Sequence, residues 1–308
     1  MKDSLVIANP ASAGGRTGKR WADIAAGLRA AGLDFDYALT TRALEATEFS
    51  RKAVKEGRSL VVAAGGDGTI NEVANGFFEN GEPIPAQARF GVLPTGTGGD
   101  FRRTFGLPVD MAEAGRMLVV GKSRRIDVGR VTFTAPGGGQ GLRHFVNIAD
   151  AGVGGEVINR VNRGRKLING EVTFYLASVR TLLGWRNKPM HVEIDGVERD
   201  LVAQQVVVAN CRYYGGGMMI APAAIPDDGL LDVILSGDLG TLEWIRGLGD
   251  IRNGRQFDKP NPKLEHLLAR KVVVTSPQTV HLDVDGEGPG VLPATFEVMP
   301  SVLDLVCP

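Results

Sequence analysis

Cysteine is almost missing: Cys211 and Cys307 lie far apart with no C-x-x-C spacing, which leaves no disulfide framework and no thiolate zinc site. The four histidines are scattered at 144, 191, 266 and 281, so they offer no zinc spacing either. Net charge is missing too. Lysine plus arginine (35) equals aspartate plus glutamate (35), so no global field gathers a polyanion, and a nucleic-acid partner is not expected. No stretch reaches the roughly 18 uninterrupted apolar residues of a membrane span. The opening apolar run, ending at Asn9-Pro10, is too short for a signal peptide, and a cytoplasmic location is expected.

What is present describes a folded chain. At 308 residues, with 43% hydrophobic and 23% charged residues, bulk disorder and repeat arrays are excluded and two domains are favoured. The first part alternates short apolar runs with amphipathic ones, the pattern of a parallel sheet covered by helices. Strands are expected at Leu5 to Ala8, Phe35 to Leu39, Leu60 to Ala64 and Phe90 to Leu93. Helices are expected at Lys19 to Ala31, Ala43 to Lys55, Ile70 to Phe78 and Met111 to Val120.

After Arg124 the rhythm changes to short β-branched runs separated by Gly, Asp and Pro, which predicts an antiparallel sandwich. Phe145 to Ile148, Gln205 to Ala209, Lys271 to Thr275, Val280 to Val284, Thr295 to Val298 and Val302 to Val306 are among these runs, with helices at Val172 to Leu183 and Leu242 to Leu248. Gly137-Gly138-Gly139 reads as a hairpin tip. The boundary is placed near residues 122 to 126, giving an α/β domain over 1–124 and a β domain over 125–308 whose last residues could return to the first.

Glycine is in excess, 42 of 308 residues against a usual share of roughly 7%, and much of it follows the N-terminal strands. Gly65-Gly66-Asp67-Gly68-Thr69 lies between a strand and a helix, where bare N–H groups and the helix N-terminus seat a phosphate. Asp67 adds a carboxylate suited to Mg²⁺ or a ligand hydroxyl. A glycine-rich turn whose Asp caps the helix is the plainer reading. Asn9-Pro10-Ala11-Ser12-Ala13-Gly14-Gly15 and Pro94-Thr95-Gly96-Thr97-Gly98-Gly99-Asp100-Phe101 follow two other strands, and three such loops at strand ends would converge on one crevice.

These loops resemble the signature loops of the diacylglycerol kinase catalytic-domain family, in its bacterial lipid-kinase branch. The resemblance continues through Ile126-Asp127-Val128-Gly129, Asp227-Asp228-Gly229-Leu230-Leu231-Asp232 and Asp285-Gly286-Glu287. It implies a Rossmann-like α/β nucleotide-binding domain followed by a lipid-binding β-sandwich, acting as an ATP- and Mg²⁺-dependent kinase on the hydroxyl of diacylglycerol or a related lipid. By the same resemblance, ATP is held by Asn9, Pro10, Ser12, Gly14, Thr40 (or Thr41), Gly65, Gly66, Asp67, Gly68, Thr69, Ile70, Asn71 and Thr97. Glu287 is implied as general base, and Asp67, Asp100 and Asp127 as an acidic magnesium network. A separate structural Mg²⁺ is implied at the Asp228 side chain with the carbonyls of Ile225 and Leu230.

Gly99 stands where the family usually has Asn. Without the resemblance, Asp285-Gly286 is a hairpin-turn dipeptide, Asp227-Asp228-Gly229 an ordinary turn and Asp127 an ion-pair partner. Arg160, Arg163, Arg165 and Lys166 read as a solvated loop, or as a contact with an anionic membrane where the lipid substrate lies. A homodimer stays open. The rival functions are an NAD kinase, which shares Gly-Gly-Asp-Gly, and a nucleotide- or lipid-binding module without turnover.

Overall fold

The computed structural model describes residues 2–163, 181 and 184–308. The helix expected at Val172 to Leu183 lies largely outside them, as do Arg165 and Lys166. The chain divides into two compact units, Met1–Val128 with Pro300–Pro308, and Gly129–Met299.

The first unit contains β1 (Ser4–Ala8), a 3₁₀ turn (Ser12–Gly15), α1 (Arg16–Lys19), α2 (Trp21–Ala30), β2 (Phe35–Leu39), α3 (Glu45–Lys55), β3 (Leu60–Gly65) and α4 (Asp67–Asn75). The small β4 (Phe78–Glu79) and β5 (Glu82–Pro83) follow, then β6 (Arg89–Pro94), α5 (Asp100–Phe105), α6 (Met111–Val120) and the start of β7 (Lys122–Thr134). β1 runs parallel to β2 and β3, and β3 parallel to β6. The central strands are sealed on both faces, which is why Val61–Ala64 can be an unbroken apolar run with 0% exposure. Helix starts follow local chemistry: the Asp110 carboxylate accepts the N–H groups of Ala112 and Glu113, each at 3.0 Å, and so begins α6.

The second unit continues with β8 (Gln140–Phe145), β9 (Ile148–Gly152), α7 (Val153–Arg163), β10 (Lys188–Ile194), β11 (Val197–Ala203), β12 (Gln205–Ala209) and β13 (Leu231–Ser236). It ends with α8 (Thr241–Arg252), β14 (Leu264–Ala269), β15 (Lys271–Thr275), β16 (Leu282–Val284) and β17 (Val291–Cys307). One antiparallel sheet has the order β14-β13-β12-β9-β16, and another path runs β11-β10-β15-β17. Val206 and Val208 of β12 join the large core with Phe145, Val272, Val274 and Phe296, while Val207 and Ala209 face a smaller cluster with Ile148 and Ile234. The fold is therefore the α/β plus β-sandwich architecture anticipated above.

Three local expectations change. Phe145 to Ile148 is not one strand: the chain breaks between β8 and β9 because the N–H groups of Val146, Asn147 and Ile148 all turn to the Asp285 carboxylate. Thr295 to Val298 and Val302 to Val306 are one continuous strand, β17, which passes from the second unit into the first and pairs in parallel with β6 at Leu305 and Phe90. Helices at Asp100–Phe105 and Val153–Arg163 were not anticipated, being short or opened by glycines. The hairpin at Gly137–139 does join β7 to β8.

Candidate active site

In the first unit, the ends of β1, β3 and β6 carry the three glycine-rich loops, and side chains tie them to one another. Asn9 Nδ2 donates to Thr69 Oγ1 at 3.2 Å, and the Thr17 hydroxyl donates to that of Thr95 at 3.0 Å. Ser12 Oγ lies 2.6 Å from Thr17 Oγ1. The Gly65 carbonyl accepts the N–H groups of Thr95 (3.1 Å) and Gly96 (3.0 Å), locking the second loop to the third.

The approach is so close that a Cβ on Gly96 would stand 2.3 Å from the Gly66 Cα, so glycine at 96 is a requirement of the packing. Gly99 has φ +66°, the left-handed region that glycine enters freely and asparagine tolerates best among other residues. An Asn here could meet the same backbone demand, provided the Arg102 side chain, whose Nε would lie 2.6 Å from the added Cβ, moves aside.

Asp67 opens α4 and sits at the centre of this arrangement. Its Oδ2 accepts the N–H of Asp100 and its Oδ1 that of Phe101, each at 3.3 Å. These long bonds leave both oxygens with lone pairs for a hard cation, and the N-terminus of α4 adds partial positive charge for phosphate beside it. Gly65, Gly66, Gly68 and Thr69 share this corner. Ile70 and Asn71 do not: at 1% and 4% exposure they belong to the inner side of α4, where the Asn71 side-chain oxygen accepts from Asn75 Nδ2 at 3.1 Å. Thr97 is exposed on the third loop. After β2, the Thr41 hydroxyl and N–H both go to Glu45 Oε2, while the Thr40 N–H is held by the Ala8 carbonyl at the end of β1.

The three acidic residues do not meet as one cluster. Asp100 is 6% exposed and pairs with Arg103 at 2.9 Å. Asp127 has 0% exposure and accepts the Ser301 N–H at 2.7 Å, tying the returning C-terminal segment to β7. Among the described residues no group of three or more His, Cys, Asp or Glu side chains is arranged to hold a metal. Of the three residues expected to form a magnesium network, Asp67 holds the Asp100 N–H, while the Asp127 carboxylate is enclosed and engaged by backbone.

In the second unit, Val284 and Glu287 exchange both backbone hydrogen bonds, at 2.8 and 3.0 Å, around Asp285 (φ 50°) and Gly286 (φ 88°). Positive φ at both central residues makes this a type I′ hairpin turn. Glu287 leaves it exposed. Asp285 does far more than turn the chain: its carboxylate accepts from Val146 (2.8 Å), Asn147 (3.1 Å) and Ile148 (2.8 Å). Asp228 is exposed in its turn and accepts the Leu230 N–H at 3.0 Å, and the Ile225 side chain is 45% exposed beside it.

Two residues of this region escaped the sequence reading. Asp150 of β9 lies directly opposite Asp283 of β16. Burial pushes Asp150 up to about 7, against the Gly155 N–H, which favours its charge. Asp283 is half-buried, and this partial burial, with the Asp150 charge after it, holds it above the ordinary carboxylate range. The one sequence signal was an aspartate at an alternating position of an apolar strand.

Among the described residues no helix is long and apolar enough to cross a membrane. Residues 3–131 match the family described as the diacylglycerol kinase catalytic domain, and residues 147–307 the YegS C-terminal NAD kinase beta sandwich-like domain. A diacylglycerol kinase of Bacillus subtilis (strain 168) is 30% identical, with 96% of this chain and 93% of the relative covered. One of Staphylococcus carnosus (strain TM300) is 29% identical, covering 96% and 92%. In fold, the chain is similar to a crystal structure from Bacillus anthracis str. Sterne, with TM-score 0.79 at 24% identity over 99% of this chain and 96% of the other. A second from that organism, of a diacylglycerol kinase, gives 0.71 at 22% over 99% and 96%. The chain belongs to the diacylglycerol kinase family and is an enzyme of the lipid kinase class, a membership that implies ATP as phosphoryl donor.

Proposed function

We propose that this chain transfers the terminal phosphoryl group of ATP to the hydroxyl of diacylglycerol or a closely related lipid, with Mg²⁺, at a membrane surface that it contacts peripherally. The observation that carries the reading is the meeting of three glycine-rich loops around Asp67, whose carboxylate is presented at the N-terminus of α4 while backbone N–H groups line the same corner. Phosphoryl transfer needs positioning and charge neutralisation more than covalent chemistry. The loops from Asn9 to Gly15, Gly65 to Thr69 and Thr95 to Gly99 offer a rigid backbone cradle for the phosphates.

A carboxylate with unused lone pairs suits Mg²⁺, which when bound would neutralise the ATP phosphates. Asp67 is the residue to hold it directly, with Asp100 behind it and Asp127 supporting the backbone. Thr40 rather than Thr41 is the threonine to meet the nucleotide, since the Thr41 hydroxyl is engaged by Glu45. Glu287 takes the proton of the lipid hydroxyl, and the rigid turn before it keeps the carboxylate in place. The Asp228 turn, with the carbonyls of Ile225 and Leu230, holds a structural cation.

The test is incubation with ATP and Mg²⁺ against diacylglycerol, monoacylglycerol, phosphatidylglycerol and sphingoid bases in mixed micelles, with NAD as a soluble acceptor, read by product mass. A phosphorylated lipid is expected. Phosphorylation of NAD alone would replace the lipid reading with a dinucleotide kinase.

A further inference from the structure

The register of β9 and β16 sets two carboxylates side by side, where like charges directly opposed on a sheet repel. Asp283 Oδ1 accepts the Gly286 N–H at 2.7 Å, so it holds the turn that precedes Glu287. Asp150 Oδ1 accepts the Gly155 N–H at 3.2 Å, while its Oδ2 is buried without a partner among the described residues. The backbone presses on that oxygen: a Cβ on Gly154 would stand 2.1 Å from it.

Among the described residues no cation pairs with either carboxylate. On its other side Asp150 faces Val207 of β12. From α7, packed on both strands, come Glu156 and Arg160, which pair with each other at 2.9 Å, and Glu156 also lies 3.6 Å from His281 Nε2 at the head of β16. β8 contributes Arg143 and the buried His144, and the turn contributes Asp285 and Glu287. One proton removes the repulsion and gives the orphaned oxygen a hydrogen-bonding role.

We propose that Asp150 and Asp283 share a single proton and that this pair fixes the Asp285-Gly286-Glu287 turn, making Asp283 a positioning residue for Glu287. The proposal rests on the reading of Glu287 as base. When the proton leaves, two charges stand beside Asp285 and Glu287, and the turn is pushed from its place. Turnover therefore falls as pH rises through the ionisation of the pair.

The test is kcat against pH for wild type, Asp283→Asn, Asp150→Asn and Asp283→Ala, with urea unfolding of the same proteins. Wild-type kcat is expected to fall about tenfold between about pH 7 and about pH 9. Asp283→Asn, which keeps an acceptor for Gly286 and cannot ionise, should lose that fall. Asp283→Ala should lower kcat about tenfold at every pH with KM for ATP unchanged. Superimposable profiles for wild type and Asp283→Asn overturn the positioning role.

Unfolding judges the proton independently of turnover. The folded pair retains a proton that an unfolded carboxyl releases above its ordinary value of 3.8, so wild-type stability should drop as pH rises from there through about 7. Asp150→Asn and Asp283→Asn should each flatten the drop, and an unchanged slope in whichever folds overturns the shared proton. Retained turnover in Glu287→Gln sinks the base reading alone and leaves the unfolding result to decide on the pair.

Discussion

Asp285 and Ile148 bind each other reciprocally: the Ile148 N–H gives to the Asp285 carboxylate at 2.8 Å, and the Asp285 N–H gives to the Ile148 carbonyl at 2.9 Å. With Val146 and Asn147 also donating to the same carboxylate, one side chain satisfies the break between β8 and β9 and holds the Glu287 turn at once. Asp285 is 7% exposed, so these N–H groups have little water to turn to if it is lost.

Asp285→Ala should therefore destabilise the protein by about 3 kcal/mol or more, as buried donors lose a charged acceptor. Asp285→Asn, with an acceptor oxygen and tolerance of positive φ, should cost less. Urea unfolding measures both. Equal and small effects would show that the carboxylate does not hold the segment.

Gly96→Ala should damage the nucleotide site without unfolding the chain. The added methyl meets the Gly66 backbone, which cannot move aside as a flexible side chain would, so the second and third loops must separate. KM for ATP is expected to rise about tenfold or more, read by initial rates with the melting temperature as a control. An unchanged KM would mean that the contact between these loops is not part of nucleotide binding.

Asp127→Ala removes the acceptor of the Ser301 N–H inside a site with 0% exposure. A loss of about 2 kcal/mol is expected, seen in urea unfolding, with faster proteolysis of the segment from Pro300. Wild-type stability combined with lost Mg²⁺ dependence would reverse this and return Asp127 to the metal.

The strands and loops of the first unit were legible because their determinants are local. An apolar run such as Leu60 to Ala64 and the glycines that follow it declare a buried strand and a tight turn within ten residues. Asp285 was less so. Asp-Gly announces a turn correctly, yet the use of its carboxylate depends on residues 137 to 139 positions earlier in the chain.

The facing of Asp150 and Asp283 likewise comes from strand register, which no window around either residue contains. Thr295 to Val298 and Val302 to Val306 read as two separate strands. In the structure Ser301 takes φ 52°, its N–H goes to Asp127, and β17 continues through the irregularity.

The most direct measurement follows labelled phosphate from ATP into diacylglycerol micelles by wild type and by Glu287→Gln, alongside ATP binding to each. Wild type should transfer label, and the variant should bind ATP with comparable affinity while losing turnover by about a hundredfold or more. Transfer at wild-type rate by the variant, or no labelled lipid from the wild-type protein, would contradict lipid phosphorylation through Glu287.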